Sequence, residues 1–328
     1  MPQLRGPILR IENLSVAITP KHGRPIEIID QIDLSVKTGE RLAIVGESGS
    51  GKTVTAMAIM QLIDGASYRG KIEFNNENIL VKSEKELNEI RGQKIAMTFQ
   101  DSLSTLNPIM RIGEQITEVL TIRGVKKSIA KSKTLTLLAE LGFNTPVDVF
   151  DQYPHQLSGG MRQRVMIAIA LIAEPQILIA DEPTTALDVG IQAQVMSMIN
   201  LLATKKNLTV ILISHDLGVV AGFADIVLVM YGGRIVERGS TDDIFLRARH
   251  PYTKALLNSI PTVMRDRSIL LPTIDGVTVD PTNRPAGCIF QDRCPAVQSL
   301  CKVEAPKEVS EGANHRYSCF FPNMEDAA

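Results

Sequence analysis

The sequence predicts an α/β fold: a parallel-sheet core joined by an antiparallel β subdomain, an inserted helical stretch and a small cysteine-rich C-terminal extension. Three observations carry that expectation. A glycine-rich loop, GESGSGKT at residues 46–53, sits between the short apolar strand RLAIVG (41–46) and the helix-forming run VTAMAIMQLI (54–63). Strand, loop and helix follow one another in the order that a phosphate-cradling loop requires. The runs QILIA (176–180) and TVILIS (209–214) are apolar on both faces, as strands buried inside a parallel sheet are. All four cysteines fall within the final 41 residues, at 288, 294, 301 and 319.

From the N-terminus, ILRIENLSVAI (8–18) and EIIDQIDLSVK (27–37) alternate apolar and polar residues around the turn-rich PKHGRP. That pattern predicts two antiparallel strands leading into the loop strand. After the first helix, GKIEFNNENIL (70–80) reads as an edge hairpin. From about residue 86 to 165 the pattern is helical, with IGEQITEVLTIRG and SIAKSKTLTLLAELGF carrying apolar residues at three and four spacing. IVLVMYGGRIVERG (226–239) closes the core as a hairpin about Gly232 and Gly233. Repeats and low-complexity segments are absent from the sequence.

The loop specifies chemistry. Between Gly46 and Gly51 the residues Glu47, Ser48, Gly49 and Ser50 let backbone N–H groups turn inward around an anionic phosphate. Lys52 is expected to reach the β and γ phosphates, Thr53 to offer a hydroxyl to Mg²⁺, and the following helix to add its positive dipole end. The strand QILIA delivers Asp181 and Glu182 to its C-terminal end, where open α/β sheets bind ligands. Asp181 is placed to hold Mg²⁺ through water, and Glu182 to orient or deprotonate an attacking water. TVILIS presents His215 at the same edge.

Together these motifs resemble the nucleotide-binding subunit of ATP-binding-cassette (ABC) transporters. GESGSGKT resembles the family's phosphate loop, Gln100 in MTFQD its Q-loop glutamine, and LSGGMRQR (157–164) its signature. ILIADE (177–182) resembles its Walker B strand, ALD (186–188) its D-loop and His215 its switch histidine, all in family order. The resemblance implies a P-loop ATPase core with an antiparallel β subdomain and an inserted helical subdomain over about 86–165. It implies catalytic roles for Glu182, His215 and Gln100, and Mg²⁺ held with Thr53, Gln100 and Asp181. It also implies a head-to-tail dimer in which Ser158, Gly159 and Gly160 of one subunit close over ATP held by the other, with Asp188 lining the nucleotide. A Ser-Gly-Gly turn opening a helix is a second anion site in kind, which gives that implication physical sense. The chain departs from the family before the loop: Ile18, in LSVAITP, stands where an aromatic ring usually stacks on adenine. Base recognition is therefore expected to be weaker and less selective.

Composition bounds the alternatives. The chain has 328 residues, enough for about two domains. Its 35 basic and 36 acidic residues give a net charge of −1, so nothing biases it toward nucleic acid. The start lacks the apolar core of a signal peptide, and the longest apolar run near the signature, VMIAIALIA, is well short of the ~18 residues a membrane helix needs. A peripheral protein of the cytoplasmic face of the inner membrane is the expectation, with membrane contact made through partners.

The cysteines, spaced Cys288-x5-Cys294-x6-Cys301-x17-Cys319, have the ligand number of a metal or cluster site. A disulfide framework and four thiols packed as small hydrophobes are the other readings; a reducing compartment disfavours the first. RHPYTKALLNSIP (249–261) and GCIFQDRCP (287–295) resemble the C-terminal extension of oligopeptide and dipeptide importer ATPases. That resemblance implies a [4Fe–4S] cluster on the four cysteines. Four thiolates suit zinc as well, but the paired C-x2-C knuckles usual in zinc ribbons are missing, which places zinc second. His315, near Cys319, reads as a surface histidine before it reads as a ligand.

The domain expectation is therefore an ABC ATPase domain over 1–245 and an importer-type extension over 246–328. The function expected is ATP hydrolysis driving import of dipeptides, oligopeptides or a related solute. Its expected partners are a second ATPase subunit, identical or not, two transmembrane permeases and an extracytoplasmic solute-binding protein. A non-peptide cargo, such as a nickel or other metal chelate or a glycopeptide, is the runner-up. A soluble ABC ATPase acting on nucleic acid or ribosomes ranks last, because such relatives carry two cassettes or a long coiled coil. Here one phosphate loop stands about 105 residues before the signature.

Overall fold

The computed structural model describes residues 6–21, 23–99, 105–185, 187–260, 273–312 and 314–323; the readings placed on Gln100 and Ala186 lie outside them. The chain forms two compact units, Met1–Val81 with Leu212–Ala328, and Lys82–Ile211.

In the first unit, β1 (Leu9–Ile18) lies between β2 (Ile26–Val36) and β4 (Ala66–Phe74), antiparallel to both, and β5 (Glu77–Asn78) completes the sheet in the order β2-β1-β4-β5. The alternation read from the sequence puts Ile29, Ile32, Leu34 and Val36 in the core. Asn75 and Asn76, both at positive φ, make the tight turn from β4 to β5. A mixed sheet forms the rest of this unit's framework. β3 (Arg41–Val45) pairs in parallel with β9 (Ile226–Tyr231), which pairs antiparallel with β10 (Arg234–Ser240). β12 (His315–Tyr317) joins β10, and β11 (Val309–Glu311) joins β12, so the chain's last strands extend the sheet that carries the loop strand.

α1 (Lys52–Ile59) follows the glycine-rich loop and stops earlier than the apolar run to Ile63 predicts. Gln61 turns into the left-handed region and donates its side-chain amide to the Ile79 carbonyl at 2.6 Å, which diverts the chain. Later come α8 (Leu217–Ala221), α9 (Thr241–Leu246), α10 (Pro251–Asn258) and α11 (Ser299–Val303).

One acid is sealed inside this unit. Glu237 of β10, whose side chain is 0% exposed, accepts from the N–H groups of Arg249 and His250 at 2.7 and 2.9 Å, and His315 Nε2 stands 2.7 Å from Oε1. His315 is thus buried and paired with a carboxylate, which corrects the surface position expected from sequence; β12 pairing carries it inward. Complete burial lowers the His250 pKa to about 4, and its neutral Nδ1 accepts from the Tyr252 N–H at 3.1 Å.

The second unit contains α2 (Glu84–Ile90), β6 (Ile95–Thr98), α3 (Ile112–Thr121), α4 (Lys127–Glu140), α5 (Pro146–Asp151), α6 (Gly159–Leu171), β7 (Ile177–Asp181) and α7 (Val189–Lys206). Ser83 opens α2 with a reciprocal capping box to Glu86. The uniform helical pattern expected over 86–165 is broken by β6. Its Ile95, Ala96 and Thr98 are buried, and it pairs in parallel with β7 from Ile95↔Ile177 to Thr98↔Ala180. Four residues are too few for periodicity to reveal a strand that its partner defines. The chain passes between the units within β8 (Thr209–Ser214). Among the described residues no helix is long and apolar enough to cross a membrane.

Candidate functional site

The glycine-rich loop leaves the C-terminal end of β3, whose Leu42, Ala43, Ile44 and Val45 are fully buried, so its root is fixed by the core. Gly46 sits at φ +151, and a Cβ there would lie 2.2 Å from the Met230 carbonyl oxygen; no other residue fits that approach of loop to β9. The Ser50 carbonyl accepts from the Gly233 N–H at 2.9 Å, tying the loop to the β9–β10 turn. Lys52, 6% exposed, donates Nζ to the carbonyls of Gly46 and Glu47 at 2.8 Å each, which folds its ammonium back over the loop. Ser48, Gly49 and Thr53 are exposed, and α1 has no acidic residue in its first turn to offset the positive end of its dipole. The loop can therefore take an anion on its open side.

Sequence reasoning missed two residues that hold this loop. The Glu47 N–H donates to the Tyr252 hydroxyl oxygen at 2.8 Å, and the Glu47 carboxylate accepts from both terminal nitrogens of Arg293 at 2.6 and 3.0 Å. Burial raises the Tyr252 pKa above the ordinary phenol value, which keeps the hydroxyl protonated. Tyr252 lies in RHPYTKALL and Arg293 in DRCP, stretches whose composition marks an extension and gives no sign of a loop 205 and 246 residues away. The same unit holds His215, exposed just after β8; Asp216 beside it caps α8 by accepting from Gly218 N–H at 2.9 Å.

Within the second unit, β7 is buried along its whole length and ends in Asp181, 2% exposed. Glu182 then takes φ +46, a conformation rare for a residue with a side chain and frequent at functional positions. Thr185 Oγ1 donates to its Oε2 at 2.8 Å and fixes the carboxylate's direction. Ser158 caps α6, and Ser158 and Gly159 are exposed at its start. A Cβ on Gly160 would lie 2.5 Å from Ile191 Cγ2, so glycine here permits α6 to approach α7. Asp188 caps α7 by accepting from Ile191 N–H at 2.9 Å. Gly160 and Asp188 thus meet at one residue, Ile191, the first at its side chain and the second at its backbone N–H.

The four cysteines are free thiols and line one small pocket of about 10 Å³ together with Phe290 and His250. Burial raises the pKa of Cys288 and Cys294 and pushes that of Cys319 up to about 12, so these thiols are neutral in this packing. The donor set fits a four-thiolate centre. The space fits about one water, and among the described residues no group of three or more His, Cys, Asp or Glu side chains is arranged to hold a metal ion.

Comparison with known proteins agrees with the motifs. Residues 29–185 match the ABC transporter family, and residues 236–301 match the oligopeptide/dipeptide transporter C-terminal region. The chain is 43% identical over 325 residues to the oligopeptide transport ATP-binding protein AppD of Bacillus subtilis, covering 98% of each chain. It is 43% identical over 323 residues to the dipeptide transport ATP-binding protein DppD of Escherichia coli, again covering 98% of each. A solved ATP-binding cassette, dimeric in a post-hydrolysis state with ADP and Pi, superposes with TM-score 0.64 at 26% identity, covering 71% of this chain and 98% of that one. The fold is that of an ABC ATPase cassette, and the chain belongs to the ABC transporter ATP-binding proteins that carry the oligopeptide/dipeptide transporter C-terminal region.

Proposed function

We propose that this chain hydrolyses ATP to drive import of dipeptides or oligopeptides, as one ATPase subunit of a membrane complex. The observation that carries the reading is Glu182, placed at the end of a buried strand in a left-handed backbone conformation and aimed by Thr185. In the reaction a water attacks the γ-phosphorus, the bond to the β–γ bridging oxygen breaks, ADP leaves, and Glu182 orients the water and takes its proton. The loop N–H groups from Gly46 to Gly51 and the Lys52 ammonium hold the β and γ phosphates. Mg²⁺, when bound, neutralises charge on those phosphates, and Thr53, Asp181 and Gln100 are the residues to hold it. His215 senses the γ-phosphate, while Ser158, Gly159, Gly160 and Asp188 serve the nucleotide of the second subunit. Residues 1–245 act as the nucleotide-binding domain, with its helical subdomain at about 86–165, and 246–328 as the extension.

The partners proposed are a second ATPase subunit, two permeases and a solute-binding protein, with this chain on the cytoplasmic face of the membrane. The support for a peptide cargo is that relatives matching nearly the whole chain are oligopeptide and dipeptide transport ATP-binding proteins. Deleting the gene in its source organism is expected to abolish uptake of a radiolabelled dipeptide or oligopeptide. Unchanged peptide uptake with loss of a nickel chelate or glycopeptide would transfer the proposal to a non-peptide cargo.

The extension's four cysteines are proposed to ligate one [4Fe–4S] cluster, with Cys288, Cys294, Cys301 and Cys319 as thiolates around an opened form of their pocket. Their convergence from three segments, and a preceding stretch, 273–286, with little buried surface, support a cross-link of this kind. Protein purified without oxygen is expected to be brown, absorb broadly near ~400 nm and contain about four irons per chain. One zinc per colourless chain would favour zinc; no metal would leave four packed thiols.

A further inference from the structure

The phosphate loop is held from outside the nucleotide-binding motifs. Arg293 has its side chain only 4% exposed, and it does more than pair with Glu47. Its Nε donates to the Asp275 carbonyl at 2.9 Å and Nη2 to the Ile274 carbonyl at 2.9 Å, while its guanidinium stands 5.7 Å from the centre of the Tyr231 ring. A planar guanidinium held by two carbonyls and a ring presents its remaining edge in one direction, and that edge meets both oxygens of Glu47. Tyr252 takes the N–H of the same residue from a cluster in which Tyr231, Tyr252 and Phe290 lie with ring centres 4.7 to 5.3 Å apart.

Glu47 itself is the second residue of the loop, and its carbonyl accepts from Lys52 Nζ. Its backbone is therefore gripped on both sides, and its carboxylate, an anion beside a site for anions, is neutralised. We infer that Arg293 is a positioning residue for nucleotide binding: it masks the Glu47 carboxylate and, with Tyr252, fixes the entry of the phosphate loop. The C-terminal extension then sets ATP affinity. The inference rests on the proposal that this loop binds ATP.

The test uses the full-length chain, its steady-state hydrolysis of Mg-ATP and its binding of a fluorescent ATP analogue. Arg293→Ala bares a carboxylate next to the triphosphate, and KM and Kd for nucleotide are expected to rise about tenfold with kcat changed far less. Arg293→Lys, which keeps charge and loses the fork, is expected to fall between. Adding Glu47→Gln to Arg293→Ala removes the bared charge and is expected to recover most of the affinity. Tyr252→Phe, which deletes one hydroxyl inside an intact ring cluster, is expected to raise KM in the same sense.

Arg293→Ala with wild-type KM and Kd overturns the inference. So does a loss of affinity that Glu47→Gln leaves unrelieved, since that marks damage to folding. A wild-type chain that binds no ATP overturns the function proposed above, a result distinct from either.

Discussion

Glu182→Gln is expected to lower ATP turnover by about 10²–10⁴-fold while leaving ATP binding intact. The carboxamide keeps the size of the side chain and its acceptor for Thr185 Oγ1, so the left-handed turn at residue 182 has no new reason to shift. What it loses is the ability to take a proton from water. Lys52, Thr53 and Asp181 are untouched, and the variant is expected to accumulate with ATP bound and unhydrolysed. Single-turnover hydrolysis beside equilibrium nucleotide binding separates the two effects. Turnover above a tenth of the parental rate would remove Glu182 from the role proposed for it.

Lys52→Ala is expected to weaken nucleotide binding itself. In the structure Lys52 Nζ bridges the carbonyls of Gly46 and Glu47, so its removal takes a cation from the phosphates and a brace from the loop. Hydrogen bonds to charged groups contribute about 1.5–3 kcal/mol, which corresponds to roughly 10- to 150-fold in Kd. Rate is expected to fall along with affinity, because the ammonium faces phosphate charge in both ground and transition states. A fluorescent ATP analogue titrated against both proteins gives the answer, and unchanged affinity would contradict the assignment of GESGSGKT as a phosphate loop.

The strand–loop–helix at residues 41–59 was legible because its signal is local: an apolar strand, glycines at fixed spacing, a lysine and a hydroxyl. The hairpins β1–β2 and β9–β10 were legible for the same reason, since alternation and turn residues lie within a few positions of one another. β6 was not, because four residues show no period and only its pairing with β7 makes it a strand. His315 was misread as exposed because its burial depends on β10, far away in sequence. The hold of Arg293 and Tyr252 on Glu47 was invisible on the same grounds: each residue is unremarkable in its own segment, and the chemistry exists only where the chain returns to its beginning.

The sealed carboxylate of Glu237 carries a consequence for how this protein comes apart. Both backbone donors that satisfy it, and the histidine beside it, belong to residues 249, 250 and 315, beyond the position where motif content stops at about 245. A chain ending there would keep the motifs but deprive Glu237 of both backbone donors and of His315, and would open its side of β10 to water. The boundary of the motifs therefore falls inside one hydrogen-bonded cluster, and a chain cut at residue 245 is expected to melt at a lower temperature than the whole.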